Sequence, residues 1–206
     1  AIIVSHRHLD HSADINVMIE AMTEGGQTKR GSLFAPADAL EKEPIIFNYL
    51  RDRLESIRLL QEGKSYPVGD ITFSTPLRHV HPVETYGLVF KTKKHTISMI
   101  TDTSYFDGLI KNYDGELLII NMTFLEPRVR TQDSVFPIDH LSVPDAERLI
   151  RELKPKAAIL THFGMTIWRA KPWEIAAQLS QKTGIRVIAA RDGMTFDLAE
   201  LDNTSP

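Results

Sequence analysis

Three histidines and one aspartate lie within six positions near the start of the chain, in the arrangement His6-x-His8-x-Asp10-His11. They follow the short apolar segment 1–5, which we interpret as a buried strand. In an extended loop over 6–11, alternate side chains point the same way, so His6 and His8 can bind one cation while Asp10 and His11 turn towards a second. Imidazole and carboxylate groups together suit zinc, and less selectively iron or manganese. Histidine is a rare residue, so this density at a strand end favours a metal site over surface histidines beside a helix start.

Three further candidate ligands each follow a predicted strand. These are His81, Asp102 and His162, after the extended segments 71–80, 96–101 and 157–161. Sheets of α/β proteins place their chemistry at the carboxyl ends of strands. One such residue alone is more often structural or capping, but three of them after the opening cluster favour a shared site. The chain contains no cysteine, so a metal must be held by His, Asp or Glu.

Composition limits the class of protein. A chain of 206 residues fits one domain, which we expect to span residues 1–206. The net charge of −3 gives no strong field for nucleic acid or an anionic membrane. No run approaches the roughly 18 apolar residues of a membrane helix, so we expect no membrane association. The absence of cysteine fits a cytoplasmic protein, which is our expectation for its location.

The predicted elements alternate between helix and strand at both ends, around a middle that is rich in strands. A helix is expected over 12–22, with Ile15, Met18, Ile19 and Met22 on one face. Further strands are expected at 85–92, 96–101 and 116–121, followed by a long loop over 122–139. Ser142 and Asp145 predict a capped helix to residue 153, and Asp192-Gly193 predicts a hairpin between 186–190 and 194–198. This order predicts a sheet core with helices outside.

Taken together, the seven positions resemble the metallo-β-lactamase superfamily over nearly the whole chain. The resemblance implies an α/β (α+β) fold, an αββα sandwich of two mixed sheets packed face to face with helices outside. It implies two divalent metal ions, Zn²⁺ first with Mn²⁺ or Fe²⁺ as alternatives. In that arrangement Asp102 bridges the two metals, one held by His6, His8 and His81 and the other by Asp10, His11 and His162. Members normally carry several strands before the first motif, so we expect N-terminal strands to precede this sequence.

Departures from other branches narrow the resemblance. True β-lactamases of this fold usually carry a Cys ligand, and flavodiiron reductases have a Glu at the position of His8. Thiolester hydrolases typically show Gly-His-Thr-x-Gly around the third ligand, whereas this chain has His81 followed six residues later by Gly87. That spacing is similar to ribonuclease Z, the transfer-RNA 3′-processing endonuclease, and to the carbon–phosphorus-lyase phosphodiesterase. His140, in Asp-His-Leu-Ser142, is similar to the His-x-Ser element of the endonuclease branch.

The resemblance also implies a mechanism. Two cations lower the pKa of a shared water and supply hydroxide at neutral pH. Asp10 accepts or relays the proton while it ligates, and a protonated His140 stabilises the oxyanion or protonates the leaving group. Five residues that follow ligand-bearing strands are expected to shape the substrate pocket, although each type is individually more often a packing or surface residue: Ser104, Tyr105, Thr166, Trp168 and Arg169.

The substrate is a separate question. No long basic arm of the endonuclease kind is evident, and the segment 122–139 offers only Arg128 and Arg130. With a net charge of −3, a large RNA is not favoured, and we expect a small or short phosphodiester. The alternative is a carbon ester, lactone or amide hydrolysed at the same site. A non-catalytic binding module is the third hypothesis, against which the intact ligand set argues. A homodimer is common in the related branch and is expected as a possibility here.

Overall fold

The computed structural model describes residues 1–41, 43–128 and 139–203, which form two β-sheets with helices on their outer faces. The smaller sheet has the order β1-β2-β3, with all its described pairs parallel: β1 (Ile2–Ile3), β2 (Ser32–Ala35) and β3 (Ser56–Leu59). The larger sheet is built from the remaining strands: β4 (Lys64–Val68), β5 (Ile71–Thr75), β6 (Leu88–Lys91), β7 (Thr96–Ile100), β8 (Leu117–Phe124), β9 (Leu141–Ser142), β10 (Ala157–Thr161) and β11 (Arg186–Ala189).

The order of the larger sheet brings the carboxyl ends of three strands together. Its main path is β11-β10-β8-β7-β6-β5-β4, and β9 pairs with β8 beside that path. The strands β7, β8, β10 and β11 run parallel, whereas β4 to β7 form an antiparallel meander. Because β8 lies between β7 and β10, the residues that follow these three strands emerge at one edge of the sheet.

Seven helices and two 3₁₀ turns are present in the described part of the chain. The helices are α1 (Leu9–Ser12), α2 (Ile15–Met22), α3 (Asn48–Arg51), α4 (Gly108–Asn112), α5 (Val143–Leu153), α6 (Met165–Arg169) and α7 (Pro172–Thr183). The 3₁₀ turns are Ala37–Ala39 and Leu198–Asn203. Among these described helices, none has the length and apolar character needed to cross a bilayer.

The two sheets pack face to face through an aromatic cluster. Phe34 of β2 meets Phe73 of β5 edge-on, with ring centroids 5.0 Å apart, and both side chains are buried. Each fully buried ring of this kind contributes about 1.5–3 kcal/mol. On the outer faces, Ile19 of α2 packs with Leu33, and α5 packs against β8. The layers are therefore helix, sheet, sheet and helix, and the predicted αββα sandwich is confirmed, except that only the larger sheet is mixed.

The N-terminal segment differs from the prediction of a loop followed by one long helix. Residues 9–12 form a helical turn, α1, that includes Asp10 and His11. The longer helix α2 begins only at Ile15, and its C-terminal neighbour Thr23 closes it. Met18 is 53% exposed, so the prediction that it lies on the buried face is wrong.

Two predictions in the C-terminal half also differ from the structure. The predicted hairpin at Asp192-Gly193 is wrong, because β11 pairs in parallel with β10 and residues 194–197 form no strand. Met194 and Phe196 instead pack their side chains on the sheet. Strand β8 runs to Phe124, so residues 122–124 are strand and not loop. Within the rest of the predicted loop, residues 129–138 with Arg130 lie outside the described residues.

Helix α5 confirms its predicted cap. The Ser142 backbone N–H donates to Asp145 Oδ2 over 2.9 Å, and Ser142 Oγ accepts from the Asp145 backbone N–H. This reciprocal pair satisfies two backbone donors that a helix start otherwise leaves unpaired. The cap fixes the start of α5 at Val143, three residues after His140.

Candidate metal centre

The seven predicted ligands converge at the edge where β7, β8 and β10 end. Three sets of donor atoms each lie within 4.8 Å of one another: His6, His8, His81 and Asp102; Asp10, His11 and His162; and Asp102, His140 and His162. The first two sets correspond to the two metal positions expected from the sequence, and Asp102 belongs to two of the three. His140 joins the third set, so it lies at the same centre.

The local conformation of the opening motif explains why its side chains divide between two positions. His6 follows β1 and is fully buried, and His8 has an extended backbone with φ −60° and ψ 147°. Two residues apart on extended backbone, their side chains point the same way. Asp10 and His11 follow His8 by two and three residues, in the helical turn α1, and therefore face another direction. The change from extended to helical backbone takes the place of the continuous loop that was predicted.

Asp102 lies at the middle of the cluster, and only one of its carboxylate oxygens faces the histidines. Its Oδ2 is 3.1 Å from His11 Nε2, 3.5 Å from His6 Nε2, 3.5 Å from His162 Nε2 and 3.6 Å from His140 Nδ1. Its Oδ1 accepts a hydrogen bond from Asn121 Nδ2 over 2.8 Å. The side chain is 1% exposed, so its orientation is set by these protein contacts rather than by solvent.

Two of the histidines are oriented from behind by oxygen atoms. His81 Nδ1 donates to the Asp139 backbone carbonyl over 3.0 Å, which directs Nε2 to a position 3.0 Å from His8 Nδ1. His162 Nδ1 lies 2.9 Å from Thr123 Oγ1, and its Nε2 lies 2.9 Å from His11 Nε2. Hydrogen bonds of this kind to the outer nitrogen fix the tautomer of metal-binding imidazoles. Two lone pairs that face each other at this distance repel unless a proton or a cation lies between them.

The electrostatics of the cluster fit a divalent cation. Burial lowers the pKa of His6 to about 3, with the neighbouring His11 adding to the shift, so the ring is neutral and keeps a lone pair. Burial works to raise the pKa of Asp102, but the hydrogen bond from His11 and the nearby His162 hold that pKa well below its usual range. His6 Nε2 is buried and has no hydrogen-bond partner in the described part of the chain. A buried, unpaired, neutral nitrogen beside an ionised carboxylate is the donor set that zinc prefers.

The two predicted catalytic residues have different environments. Asp10 is 66% exposed and lines an open cavity of about 360 Å³ with Thr123, His162, Phe163 and Gly164. An exposed carboxylate beside the donors is suited to passing a proton to solvent. In contrast, burial lowers the pKa of His140 to about 4, so the ring is neutral at neutral pH in the metal-free protein. The role of His140 as an acid stays a prediction that requires its pKa to rise.

The interactions recorded for the five predicted substrate residues are with residues other than the seven ligands. Ser104 Oγ donates to Asp139 Oδ1 over 2.8 Å, which links it to the support of His81. The Arg148 guanidinium lies 4.5 Å from the Tyr105 ring centroid. The remaining three, Thr166, Trp168 and Arg169, are exposed on α6, which begins directly after Gly164 at the cavity wall. Their contact with a substrate stays a prediction.

Three supporting residues were not identified from the sequence. Asn121 and Thr123 lie on β8, and the backbone carbonyl of Asp139 supports His81. The first two leave a signal, because they are polar residues within the otherwise apolar strand Leu117–Phe124. The register explains their position: Thr161 pairs with Asn121, and Ile100 pairs with Ile120. Asp102 and His162 therefore leave their strands on either side of the end of β8.

Comparison with known proteins shows which family the chain belongs to. A family model described as the beta-lactamase superfamily domain matches residues 1–163. The chain is 31% identical over 207 residues to the uncharacterized protein MJ1374 of Methanocaldococcus jannaschii, covering 96% of this chain and 74% of that protein. It is 27% identical over 164 residues to the probable metallo-hydrolase YhfI of Bacillus subtilis, covering 79% of this chain and 65% of that protein.

Solved structures show the same fold. The crystal structure of YhfI, described as a metallo-beta-lactamase fold protein, superposes with a TM-score of 0.74 at 22% identity, covering 93% of this chain and 75% of that one. A diphosphatase from the PhnP family gives a TM-score of 0.69 at 18% identity, covering 95% of this chain and 71% of that one. With the two sheets, the histidine–aspartate clusters and the match over 1–163, the chain belongs to the metallo-β-lactamase superfamily of metallo-hydrolases.

Proposed function

We propose that this protein is a hydrolase with a dinuclear metal centre that acts on a small or short phosphodiester. In this proposal Asp102 would be shared between two divalent cations, with zinc favoured over manganese or iron. The ligands of one cation are His6, His8 and His81, and those of the other are Asp10, His11 and His162. When bound, such ions lower the pKa of water and offset developing negative charge.

The observation that carries the proposal is the position of Asp102. One carboxylate oxygen has four imidazole nitrogens within 3.6 Å, from segments that are far apart in the chain. The other oxygen is held by Asn121 and is turned away from them. A carboxylate that presents a single oxygen to two groups of imidazole donors is arranged to be shared between two cations.

The protein groups around this centre supply orientation and a route for the proton. Thr123 and the Asp139 carbonyl hold His162 and His81 in the tautomer that turns Nε2 inwards. Asp10, exposed beside the cavity, accepts a proton and passes it to solvent. His140 is the proposed acid; its Nδ1 is buried, faces Asp102 and has no hydrogen-bond partner in the described residues.

A cation near the centre favours a phosphodiester over a neutral ester. The Arg128 guanidinium stacks on the Phe124 ring, 4.1 Å from its centroid, and the Phe124 ring lies 5.8 Å from the His140 ring. Stacking on a ring restricts the side chain, which lowers the cost of using the guanidinium to bind an anion. A structural neighbour, the diphosphatase of the PhnP family, is consistent with a phosphorus substrate. Hydrolysis of a carbon ester, lactone or amide remains the competing proposal.

The test compares the two substrate classes on one preparation. We expect the zinc- or manganese-loaded protein to hydrolyse bis(para-nitrophenyl) phosphate faster than para-nitrophenyl acetate or a panel of lactones. Arg128→Gln should lower phosphodiester turnover and leave ester turnover unchanged. Its matched control is Arg148→Gln, which removes another ring-stacked arginine, over Tyr105. Clear lactone turnover without phosphodiester turnover would refute the proposed substrate class, and a protein that cannot be loaded with metal would refute the centre itself.

A further inference from the structure

One further histidine, His79, lies behind the metal centre and has no role in the proposed function described above. It is buried, two residues before His81, and its side chain reaches the main chain of Asp102. His79 Nδ1 lies 3.3 Å from the Asp102 carbonyl oxygen and 3.2 Å from Thr101 Oγ1. Its Nε2 lies 2.7 Å from the hydroxyl of Tyr113, a residue that directly follows α4.

The partners of His79 define its protonation. Thr101 Oγ1 donates its proton to the Tyr86 carbonyl over 2.8 Å, so it offers only lone pairs to His79. The Asp102 carbonyl is also only an acceptor, so Nδ1 must carry the hydrogen. Nε2 then accepts from the Tyr113 hydroxyl. Burial lowers the pKa of His79 to about 4, which agrees with this single neutral tautomer.

The chain keeps space open for this network at Gly87. A Cβ at that position would lie 2.3 Å from the Tyr113 hydroxyl oxygen and 2.6 Å from His79 Nε2. Neither approach is possible without displacing the two side chains, which would separate the donor from the acceptor. The glycine is therefore required by the hydrogen bond from Tyr113 to His79.

We propose that His79 is a positioning residue that fixes the Asp102 peptide and thereby sets metal affinity at the centre. Asp102 is held at two points, its carbonyl oxygen by His79 and its Oδ1 by Asn121. With both held, Oδ2 is the atom left to face the histidines. This inference rests on the proposed role of Asp102 as a shared ligand, and it assigns to His79 the position of that ligand rather than contact with metal or substrate.

The experiment measures zinc binding to the full chain. The zinc content is measured after dialysis, and the Kd by competition with a chelator, for the wild type, His79→Leu and His79→Asn. We expect His79→Leu to raise the Kd for zinc about ten- to a hundredfold, as is typical when a residue that hydrogen-bonds to a metal ligand is removed. His79→Asn keeps an N–H donor near the Asp102 carbonyl and should restore much of the affinity.

The matched control is His95→Leu. His95 is also buried, but it precedes β7, at the opposite end of that strand from Asp102, and binds Glu116. Its loss should lower the melting temperature without changing the Kd for zinc. Where His79→Leu does not fold, Tyr113→Phe decides, because it removes only the hydroxyl and should raise the Kd severalfold.

The outcomes separate this inference from the proposed function. Wild-type affinity in His79→Leu, or in Tyr113→Phe where that variant decides, overturns the role of His79 while the metal centre stands. An equal rise in Kd for His95→Leu also overturns it, since the effect would then be general destabilisation. A wild type that binds no zinc refutes the proposed function itself.

Discussion

Replacing Asp102 by Asn tests the metal centre with the smallest change of shape. The amide has the size of the carboxylate, and its oxygen can still accept the hydrogen bond from Asn121. Its NH₂ group would face His11 and His162, whose nitrogens lie 3.1 and 3.5 Å from Oδ2. It can donate to the lone pair of His162 Nε2, and to His11 Nε2 once that ring carries its hydrogen on Nδ1 instead. We therefore expect the metal-free variant to fold. A cation, however, would meet two N–H bonds in place of an anionic oxygen.

The expected magnitude follows from charge and mass action. The seven proposed ligands include only two carboxylates, Asp10 and Asp102, so the substitution halves the negative charge that the ligands offer. Wild-type protein at a zinc concentration of a hundred times Kd gains about 2.7 kcal/mol of stability. For a domain of this size, about 1 kcal/mol changes the melting temperature by about 2–4 °C, so zinc should raise it by roughly 5–11 °C. The variant should lose most of that rise.

The assay is thermal unfolding of each protein with zinc and with EDTA, together with metal content per chain. The pKa of Asp102 is lower in the folded protein than in the unfolded chain. Its ionised form therefore adds stability at neutral pH, and this stability is lost as the pH falls. That contribution disappears in the variant but is present in both wild-type samples. Comparing the zinc-dependent shift within each protein therefore cancels it. A variant with two metals per chain and a wild-type shift would refute the reasoning.

Three smaller predictions use other parts of the structure. Ser142→Ala should lower the free energy of unfolding by about 1 kcal/mol, since it removes the cap of α5, with zinc content unchanged; an unaltered denaturant midpoint would contradict this. Gly164→Ala should reduce zinc content, because its Cβ would lie 2.5 Å from the Thr123 backbone oxygen and displace His162; full zinc content would argue against it. Thr123→Val should weaken zinc binding measured by chelator competition, because His162 Nδ1 loses its partner, and an unchanged Kd would exclude that support.

Much of the candidate site could be predicted from the sequence because its signals are local. His6, His8, Asp10 and His11 stand within six residues, and Asp102 and His162 follow strands that short apolar runs predict. The predicted strand 71–80 before His81 is wrong in its second half, because β5 ends at Thr75. The cap at Ser142 is equally local, as a serine followed three residues later by an acid. These patterns depend on neighbouring residues only, so the fold class and the ligand types could be predicted without coordinates. The spacing of apolar residues over 12–22 did not predict where α2 begins, because residues 9–12 form their own helical turn.

The tertiary structure decided which atoms face the centre. Asn121 and Asp102 are 19 positions apart, and Thr123 and His162 are 39 apart, so no local pattern links them. They meet because β8 pairs in parallel with β7 on one side and with β10 on the other, a register set by burial along whole strands. The sequence by itself determined that His and Asp donors are present at strand ends. Only the packed sheet determined that Oδ2 of Asp102 faces these donors, because its Oδ1 is held by Asn121, a residue far away in the sequence.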